Sequence, residues 1–314
     1  MTRTVAVINA LARPLLEPAL PDWVEPRWFA TAEDLFALAP EAEIGWFDGF
    51  HADPGHRAVH LAEKLRWLTT VGAGVDTYPL DLLRARGVTL TNGAGLNAIP
   101  IAEYVVMGML AVAKGYREVA RAQERHEWLH DAPGKAELFG GKALILGAGA
   151  IGGRVAELLQ AFGMEVVTVR RRPAPGVLGP DEWRARLGAF DWVIVAVAST
   201  EETRGMIGAA ELAAMRPDAT LVNVSRGFVV DTEALVSALR AKRIGAAFLD
   251  VTDPEPLPGD HPLWGFDNVH VTMHLSGRSQ TLLIRRGVER FLANLEHFRR
   301  GEPLSHTVDL TLGY

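Results

Sequence analysis

One stretch constrains the fold of this chain more than any other: Lys142–Gly152, which reads K-A-L-I-L-G-A-G-A-I-G. It begins with a short apolar run, Ala143–Leu146, long enough for a buried parallel strand. Ile151–Phe162 then continues with the apolar spacing of a helix. The turn between them carries a G-x-G-x-x-G pattern, formed by Gly147, Gly149 and Gly152. A second apolar run, Glu165–Val169, follows where the next strand of a βαβ unit is due, so the pattern predicts a dinucleotide-binding unit rather than an ordinary glycine-rich turn.

Each position of this motif has a predicted task in holding a cofactor. Gly147 allows the tight turn, Gly149 lets the backbone approach a pyrophosphate, and Gly152 lets the helix pack closely against the strand. The first-turn N–H groups, at Ala150 and Ile151, point out of the helix start, where the helix dipole also favours negative charge. We therefore expect these five residues to bind the cofactor phosphates.

Composition bounds the class of protein. With 314 residues, two domains of ordinary size are the natural expectation. The 48% hydrophobic and 22% charged content is typical of a soluble globular protein, and the net charge of −6 argues against nucleic acid and anionic membrane as main partners. No apolar run reaches the roughly 20 residues of a membrane span, and the N-terminus lacks the core of a signal peptide, so the cytoplasm is the default location. The absence of cysteine excludes disulfides and thiolate metal sites.

Strands alternate with helices along the whole chain, which predicts parallel α/β sheets. The first region has predicted strands and helices at Thr4–Ile8, Ala32–Leu38, Glu43–Phe47, Val59–Lys64, Leu65–Val71, Leu80–Arg86 and Val88–Thr91. A turn-rich boundary at Asn92–Pro100 precedes a long apolar helix, Ile101–Lys114, and a polar one, Arg117–His130. After the glycine motif, further strands are predicted at Trp192–Ala198, Leu221–Val224, Ala246–Val251 and Val269–Thr272, giving a second sheet of about six strands. The amphipathic segment Thr281–Arg300 could return the chain to the first domain.

Three ionisable side chains follow three predicted strands of this second sheet. Arg226 lies in N-V-S-R-G-F-V-V-D, Glu255 in L-D-V-T-D-P-E-P, and His274 in N-V-H-V-T-M-H-L-S-G. Each comes just beyond the carboxyl end of its strand. Open α/β sheets bind ligands in the crevice outside those ends, so we expect the three side chains to share the edge where a cofactor would bind.

With these segments in view, the sequence resembles the D-2-hydroxyacid dehydrogenase family over nearly its whole length. The resemblance includes V-G-A-G-V-D at 71–76, the G-x-N-A turn at 95–98, E-T-R-G-M-I-G at 202–208 and V-D-x-x-x-G-Y at 308–314. It implies an α/β protein in which a Rossmann cofactor domain, residues 98–284, is inserted into a smaller flavodoxin-like, doubly wound substrate-binding domain. That second domain is made of residues 1–97 and 285–314. The resemblance also implies a homodimer packed through the Rossmann domains.

The resemblance assigns the three ionisable residues as catalytic. Arg226 matches the arginine that binds the oxo group and carboxylate of the substrate, a task suited to a planar guanidinium that stays charged. His274 matches the acid/base that protonates the carbonyl oxygen during reduction, because its ordinary pKa lies near working pH. Glu255 matches the carboxylate that orients this imidazole and favours its charged form.

Other family positions carry binding roles. Ala73 and Gly74 match the loop whose N–H groups hold the substrate carboxylate. Ser225 and Asp250 match positions near the nicotinamide amide, and the loop Ala198-Ser199-Thr200 with Thr203 matches one that lies along the cofactor. The chain departs from the family at Met273, where proline is usual and would stiffen the approach to His274, and at Asn92-Gly93-Ala94-Gly95, where T-P-G is frequent.

The glycine count also bears on cofactor choice. An acidic residue about 20 positions beyond the glycines, at the end of the second strand, binds the ribose 2′-OH of NAD. Here that position is Arg170, followed by Arg171 and Arg172. Arginine attracts a 2′-phosphate, so we expect NADP as the cofactor, with NAD as the weaker alternative. The alternative interpretation is that these arginines form a solvated basic loop that binds no ligand.

The resulting hypothesis is an enzyme, an NAD(P)-dependent D-2-hydroxyacid dehydrogenase that reduces a small 2-oxo acid such as glyoxylate or hydroxypyruvate. A cofactor-sensing corepressor on the same fold and a phosphite-type dehydrogenase remain alternatives, whereas a formate dehydrogenase typically has glutamine in place of Glu255. His56 and His60 have the spacing of a metal pair but lack an apparent third ligand, so no metal is predicted. Trp46, Trp128 and Trp264 could line the substrate cleft, but for each of them alone core packing is the simpler expectation.

Overall fold

The computed structural model describes residues 3–48, 54–75, 77–171, 177–278 and 282–313. Its strands are β1 (Thr4–Asn9), β2 (Val24–Phe29), β3 (Ile44–Trp46), β4 (Trp67–Thr69), β5 (Thr89–Thr91), β6 (Lys142–Leu146), β7 (Glu165–Val169), β8 (Val177–Leu178), β9 (Trp192–Val195), β10 (Thr220–Asn223), β11 (Ala246–Leu249) and β12 (Val269–Val271). Its α-helices are α1 (Arg13–Leu16), α2 (Ala32–Leu38), α3 (Pro54–Leu61), α4 (Leu80–Ala85), α5 (Ala98–Ala113), α6 (Tyr116–Glu124), α7 (Ala150–Ala161), α8 (Ala209–Ala214), α9 (Thr232–Arg240) and α10 (Leu283–Arg300).

The chain divides into two compact units. Unit 1 comprises residues 1–97 and 279–314, and unit 2 comprises residues 98–278. The second boundary therefore falls before α10 and not after residue 284, which lies inside that helix. The reason is that α10 packs as a whole in unit 1.

Unit 1 is a five-stranded parallel sheet with the order β2-β1-β3-β4-β5. This is the flavodoxin-like order of a doubly wound sheet, as predicted. The edge strand β2, V-E-P-R-W-F, was not expected from the sequence, because charged residues interrupt its apolar pattern. Its Pro26 is tolerated because β2 pairs on one side only, with β1.

Helix α10 completes one face of the unit 1 sheet. Val288, Phe291 and Leu295 of its apolar stripe are buried against side chains from the strands. The ring of Phe291 stacks on Trp67 at 4.9 Å between centroids and meets Trp46 at 5.5 Å. The expectation that Trp46 packs in the core is met, since it is buried.

Unit 2 is a seven-stranded parallel sheet with the order β12-β11-β10-β9-β6-β7-β8. Counted from β6, this is the Rossmann order 3-2-1-4-5-6 with a seventh strand added beside the sixth. The predicted α/β class, a Rossmann domain together with a doubly wound sheet, is confirmed. The sheet has seven strands rather than about six because the two-residue β8 is too short to give an apolar pattern.

Two hydrophobic cores cover the faces of the unit 2 sheet. Alternate residues of β6 divide between them: Leu144 and Leu146 in one, Ala143 and Ile145 in the other. Helix α5 belongs to the second core, where it packs against α7. A Cβ on its Gly108 would lie 2.5 Å from the ring of Phe248, so a larger residue would push α5 away from β11.

Two helices differ in extent from their sequence pattern. The first is α3, which spans Pro54–Leu61 rather than 59–64. The second is α6, which ends at Glu124 rather than continuing to residue 130, because the polar segment beyond it has no apolar stripe to bury.

Candidate active site at the carboxyl edge of the unit 2 sheet

The glycine turn after β6 is held by backbone contacts. Gly147 has a φ of +99° and its N–H donates to the carbonyl of Val169 at 3.1 Å. A Cβ on Gly147 would lie 2.4 Å from the carbonyl oxygen of Ala196, and one on Gly152 would lie 1.8 Å from that of Gly147. Any side chain at either position would therefore force the strand, turn and helix apart.

The middle glycine is different, because a Cβ on Gly149 would meet no atom within 4 Å. Helix α7 begins directly after it, at Ala150. The N–H groups of the first helical turn, at Ala150, Ile151 and Gly152, have no acceptor within their own helix. Open space in front of these donors is the arrangement that a dinucleotide pyrophosphate requires, so the residues fit such a cofactor.

Basic residues follow β7 beside this turn. Arg170 is exposed and its N–H donates to the carbonyl of Leu178 at 3.0 Å. Arg171 is half-exposed, and its Nη1 lies 3.5 Å from Oε2 of Glu202. Arg172 lies outside the described residues. Arg170 and Arg171 thus lie at the end of β7, beside the glycine turn, at the position that counting from the glycine motif predicted.

The loop after β9 closes the other side of this edge. Thr203 ends a short 3-10 turn, and its Oγ1 donates to the carbonyl of Ala198 at 2.9 Å. The same oxygen accepts from the N–H of Thr200 at 3.0 Å. Ser199 is half-buried within the loop and Ala198 is exposed. The Thr203 hydroxyl therefore holds the loop in its conformation by bonding two of its backbone groups.

Arg226 follows β10 on a braced turn. The Asn223 side chain accepts from the N–H of Ser225 at 3.1 Å and donates to the carbonyl of Arg226 at 3.0 Å. Ser225 Oγ donates to the carbonyl of Val197, 2.7 Å away on the neighbouring loop. The Arg226 side chain is half-buried, and its Nη1 donates to the Ser225 carbonyl at 3.0 Å. The hydroxyl of Ser225 is thus engaged within the protein.

The loops after β10 and β11 touch through their backbones. A Cβ on Gly227 would lie 1.9 Å from the carbonyl oxygen of Thr252. Only glycine fits there, which explains why Arg226 is followed by glycine. This close approach brings the Arg226 turn beside the loop that carries Glu255.

His274 and Glu255 form a pair across β11 and β12. Nδ1 of His274 lies 3.0 Å from Oε2 of Glu255, and the two side chains are 44% and 38% exposed. The other carboxylate oxygen accepts from the N–H of Thr252 at 3.0 Å. When Nδ1 donates to the carboxylate, Nε2 is left to exchange a proton with a bound molecule. Partial exposure keeps that nitrogen within reach of such a molecule.

Asp250 holds the loop that carries His274, a role that the sequence pattern did not predict. This carboxylate is 1% exposed. It accepts from Thr272 Oγ1 at 2.8 Å, from the N–H of Leu275 at 2.9 Å, and from the N–H and hydroxyl of Ser276. The Asp250 carbonyl accepts from the N–H of His274. The signal available in the sequence was an aspartate directly after an apolar strand.

The approach to His274 has an unusual backbone. Met273 and His274 have φ values of +55° and +57°. Proline, with φ fixed near −65°, could not adopt the backbone of Met273. The proline expected from the resemblance is therefore incompatible with this loop, which is held by the bonds to Asp250 instead.

In unit 1, Ala73 and Gly74 lie in the loop that follows β4. Ala73 is exposed and Gly74 half-buried. Within the described part of the chain, the N–H groups of both residues donate to no protein acceptor. Two neighbouring free N–H groups make a suitable site for one carboxylate.

Two of the three tryptophans do not pack in a core. Trp128 is 85% exposed, because it lies beyond the end of α6. Trp264 is 39% exposed and donates from Nε1 to the carbonyl of Pro258 at 2.8 Å. His56 and His60 lie on α3 with ring centroids 5.0 Å apart.

Among the described residues, no single helix is long and apolar enough to span a membrane. Helices α5 and α6 together meet the length and composition test, but they are bent by 72° at their junction.

Comparisons with known proteins by sequence and by structure point to the same family. The sequence profile described as "D-isomer specific 2-hydroxyacid dehydrogenase, NAD binding domain" matches residues 106–276. A glyoxylate reductase of Aeropyrum pernix is 35% identical over 254 residues, covering 77% of this chain and 75% of that protein. The chain spans about half the length of several D-3-phosphoglycerate dehydrogenases that it also matches.

Comparison with solved structures leads to the same family. A D-isomer specific 2-hydroxyacid dehydrogenase family protein from Aeromonas salmonicida has a TM-score of 0.87 and 30% identity, covering 99% of this chain and 100% of that one. A D-isomer specific 2-hydroxyacid dehydrogenase from Xanthobacter autotrophicus, in complex with NADPH and MES, has a TM-score of 0.78 and 28% identity, with 100% coverage of both chains.

The sheet order, the glycine turn and the histidine–glutamate pair agree with this match, and the predicted enzyme class is confirmed. The chain belongs to the D-isomer specific 2-hydroxyacid dehydrogenases, a family of NAD(P)-dependent oxidoreductases.

Proposed function

We propose that the protein reversibly reduces a small 2-oxo acid, of the glyoxylate or hydroxypyruvate type, to the D-2-hydroxy acid, with NADPH favoured over NADH. The observation that carries this proposal is the His274–Glu255 pair, 3.0 Å apart at the sheet edge that also bears the glycine turn. That edge is where a nicotinamide cofactor and an acid/base have to meet.

The catalytic roles follow from the chemistry of each group. Arg226 binds the oxo and carboxylate oxygens, because its guanidinium offers several donors in one plane. His274 gives a proton to the carbonyl oxygen of the substrate, and Glu255 orients the imidazole through its contact with Nδ1. In the oxidation direction His274 takes the hydroxyl proton. The N–H groups of Ala73 and Gly74 bind the carboxylate. When bound, the nicotinamide supplies the hydride.

The residues proposed to hold the cofactor lie along the same edge. Gly147, Gly149, Ala150, Ile151 and Gly152 hold the pyrophosphate, and Arg170, Arg171 and Arg172 attract the 2′-phosphate. The remaining proposed contacts are Ala198, Ser199, Thr203, Ser225 and Asp250. For Ser225, Thr203 and Asp250, whose side chains bond within the protein, the proposed contribution is to hold the loops that contact the cofactor. The NADPH complex of the Xanthobacter relative supports the cofactor choice.

The domain roles extend this proposal. Unit 2 is the proposed dinucleotide-binding domain, and unit 1 is the proposed substrate-binding domain. The free N–H groups of Ala73 and Gly74 in unit 1, and the glycine turn in unit 2, support this assignment.

We also propose a cytoplasmic homodimer that packs through unit 2. Large apolar side chains are exposed on that unit: Ile99, Met107, Trp128 and Phe139. Exposed apolar side chains of this size are the kind of surface that a protein–protein interface buries. Light scattering coupled to size exclusion tests this, and a monomer at micromolar concentration would contradict it.

The test of the proposed reaction is a panel of 2-oxo acids assayed with NADPH and with NADH, following the absorbance of the reduced nicotinamide. Turnover of at least one small 2-oxo acid and formation of the D-hydroxy acid are expected. Cofactor binding without turnover of any acid would contradict the proposal and favour a cofactor-sensing protein.

A further inference from the structure

The loop that carries Ala73 and Gly74 is held from one side by a neighbouring segment. The side chain of Asn92 donates from Nδ2 to the carbonyl of Ala73 at 2.8 Å. The N–H of Gly93 donates to the carbonyl of Gly72 at 2.7 Å. Two successive carbonyls of the loop therefore point towards residues 92 and 93.

The direction of these carbonyls determines the direction of the free N–H groups. In a trans peptide the C=O of one residue and the N–H of the next point in opposite directions, because the unit is planar. The carbonyl of Gly72 shares its peptide with the N–H of Ala73, and the carbonyl of Ala73 shares its peptide with the N–H of Gly74. Fixing both carbonyls on the Asn92 side thus fixes both N–H groups on the opposite side, where they can bind one carboxylate.

The segment that does this lies very close to the loop. A Cβ on Gly93 would lie 1.9 Å from the carbonyl oxygen of Val71, so only glycine allows the approach. Asn92 is 7% exposed, and its Oδ1 accepts from the N–H of Ala94 at 3.1 Å. Asn92 is therefore locked by its own turn, with its amide nitrogen directed at Ala73.

Helix α10 supports the segment from behind. Nη1 of Arg290 donates to the carbonyls of Asn92 at 3.0 Å and Ala94 at 2.8 Å. One turn earlier, Arg286 donates to the carbonyl of Leu96 at 3.1 Å. These bonds connect the C-terminal helix, through the Asn92 segment, to the loop.

The start of the loop is fixed separately by Asp48. Its carboxylate accepts from Thr70 Oγ1 at 2.6 Å, from Trp46 Nε1 at 2.9 Å and from the N–H of Val71. Thr70 Oγ1 also accepts from the N–H of Gly72 at 3.0 Å. With its start fixed in this way, the outer part of the loop is oriented by the bonds from Gly93 to the Gly72 carbonyl and from Asn92 to the Ala73 carbonyl.

We propose that Asn92 is a positioning residue for substrate recognition: by bonding the Ala73 carbonyl it aims the N–H of Gly74 at the substrate carboxylate, beside the N–H of Ala73 that the Gly93–Gly72 bond directs. This inference rests on the proposed function, because it takes the substrate to be a 2-oxo acid. The proposed action of Asn92 is through the loop, by the bond to Ala73.

The test compares Asn92→Ser with Asn268→Ser. Serine can keep the local turn by accepting from the N–H two residues ahead, but it is too short to reach Ala73. Asn268 is the matched control, because its Nδ2 also donates to a backbone carbonyl at 2.8 Å, that of Gly245, at the opposite end of the unit 2 strands. Asn92→Ala is the second variant if the serine variant does not fold.

Two measurements distinguish a role of Asn92 in orienting the loop N–H groups from a role in the stability of the fold. The KM of Asn92→Ser for the 2-oxo acid should rise roughly tenfold, the effect of weakening one hydrogen bond to a charged group. Calorimetric affinity for oxalate, a substrate-shaped carboxylate, should fall by the same factor. NADPH affinity should stay unchanged, as should both readouts in Asn268→Ser.

Unchanged KM and oxalate affinity in folded Asn92→Ser, with an active parent protein, would overturn the inference and leave the proposed function standing. If the parent protein binds oxalate without turnover, the oxalate comparison alone decides the inference while the proposed function fails. If the parent protein neither turns over a 2-oxo acid nor binds oxalate, both fail.

Discussion

His274 and His297 make nearly the same contact with a glutamate in different surroundings. Nδ1 of His274 lies 3.0 Å from Glu255, and Nδ1 of His297 lies 2.9 Å from Glu302, with side-chain exposures of 44% for both histidines. Only His274 follows a strand at the carboxyl edge of the unit 2 sheet. Position on the fold, and not the pair itself, therefore separates a proposed acid/base from an ordinary surface pair.

The His297–Glu302 contact serves as a control for a test of the His274–Glu255 contact. His274→Asn should keep the loop bonds to Asp250 but lose the proton donor, and general acid catalysis typically contributes about 10²–10⁴-fold. We expect kcat to fall by about that factor, while His297→Asn leaves it unchanged. Steady-state kinetics measures both, and near-normal turnover in a folded His274→Asn protein would remove histidine from the mechanism.

The arginines after β7 allow a second residue-level test. One hydrogen bond to a charged group contributes roughly 1.5–3 kcal/mol, which corresponds to about a ten- to hundredfold preference for NADPH. Arg170→Asp combined with Arg171→Ala should erode or reverse this preference in kcat/KM without changing the product. Equal efficiency with both cofactors in the unaltered protein would contradict a role for these arginines in choosing the cofactor.

At the scale of elements, the central strands of the unit 2 sheet, β6, β9, β10 and β11, were predictable because they are buried on both faces and read as continuous apolar runs. Their order placed Arg226, Glu255 and His274 at one edge, as the strand ends predicted. Strand β2 was not predictable, because an edge strand can carry proline and charge. The loops were not predictable either: the bonds of Asp250 join residues more than 20 positions apart, and no local pattern encodes them.

Strand β12 ends just before this site, and its own histidine gives a pH prediction. Burial, together with nearby Arg117 and Arg121, holds the pKa of His270 below its usual value. The unfolded chain then binds the proton more readily, so stability is full above about pH 6.5 and falls as the pH drops towards the folded pKa. His270→Gln should lessen that fall.

Urea unfolding above and below that pH measures this effect, with His130→Gln, at an exposed position, as the control. His306, whose pKa is also lowered by burial and by Arg290, should keep part of the pH dependence in both variants. An identical fall in His270→Gln and the parent protein would contradict the prediction.

At the scale of the molecule, the two ends of the chain share one unit. The stripe of α10 that predicted a buried face is the one that packs on β3 and β4, but the sequence could not indicate that the helix joins the unit as a whole. Sequence periodicity gives the face of a helix and not its partner. The consequence is that residues 279–314 are grouped with unit 1, and the buried stripe of α10 contributes to its core.

Phe291→Ala tests this packing. The ring is 1% exposed and meets two tryptophans, and removing such a ring typically costs about 3–5 kcal/mol. Phe162→Ala, whose ring is 41% exposed in unit 2, should cost much less. Urea titration followed by circular dichroism compares them, and equal losses would contradict the assignment of α10 to a core.

The left-handed backbone at Met273 bears on how this protein could be engineered. A library that copies the commonest residue of the family would install proline there, in the belief that it rigidifies the loop. Here Met273→Pro should lower both the melting temperature and kcat, since φ cannot reach +55°. Met273→Gly should instead be tolerated, because glycine adopts positive φ without strain. At position 273, the backbone dihedral angle is therefore a better basis for choosing a substitution than the residue usual in the family.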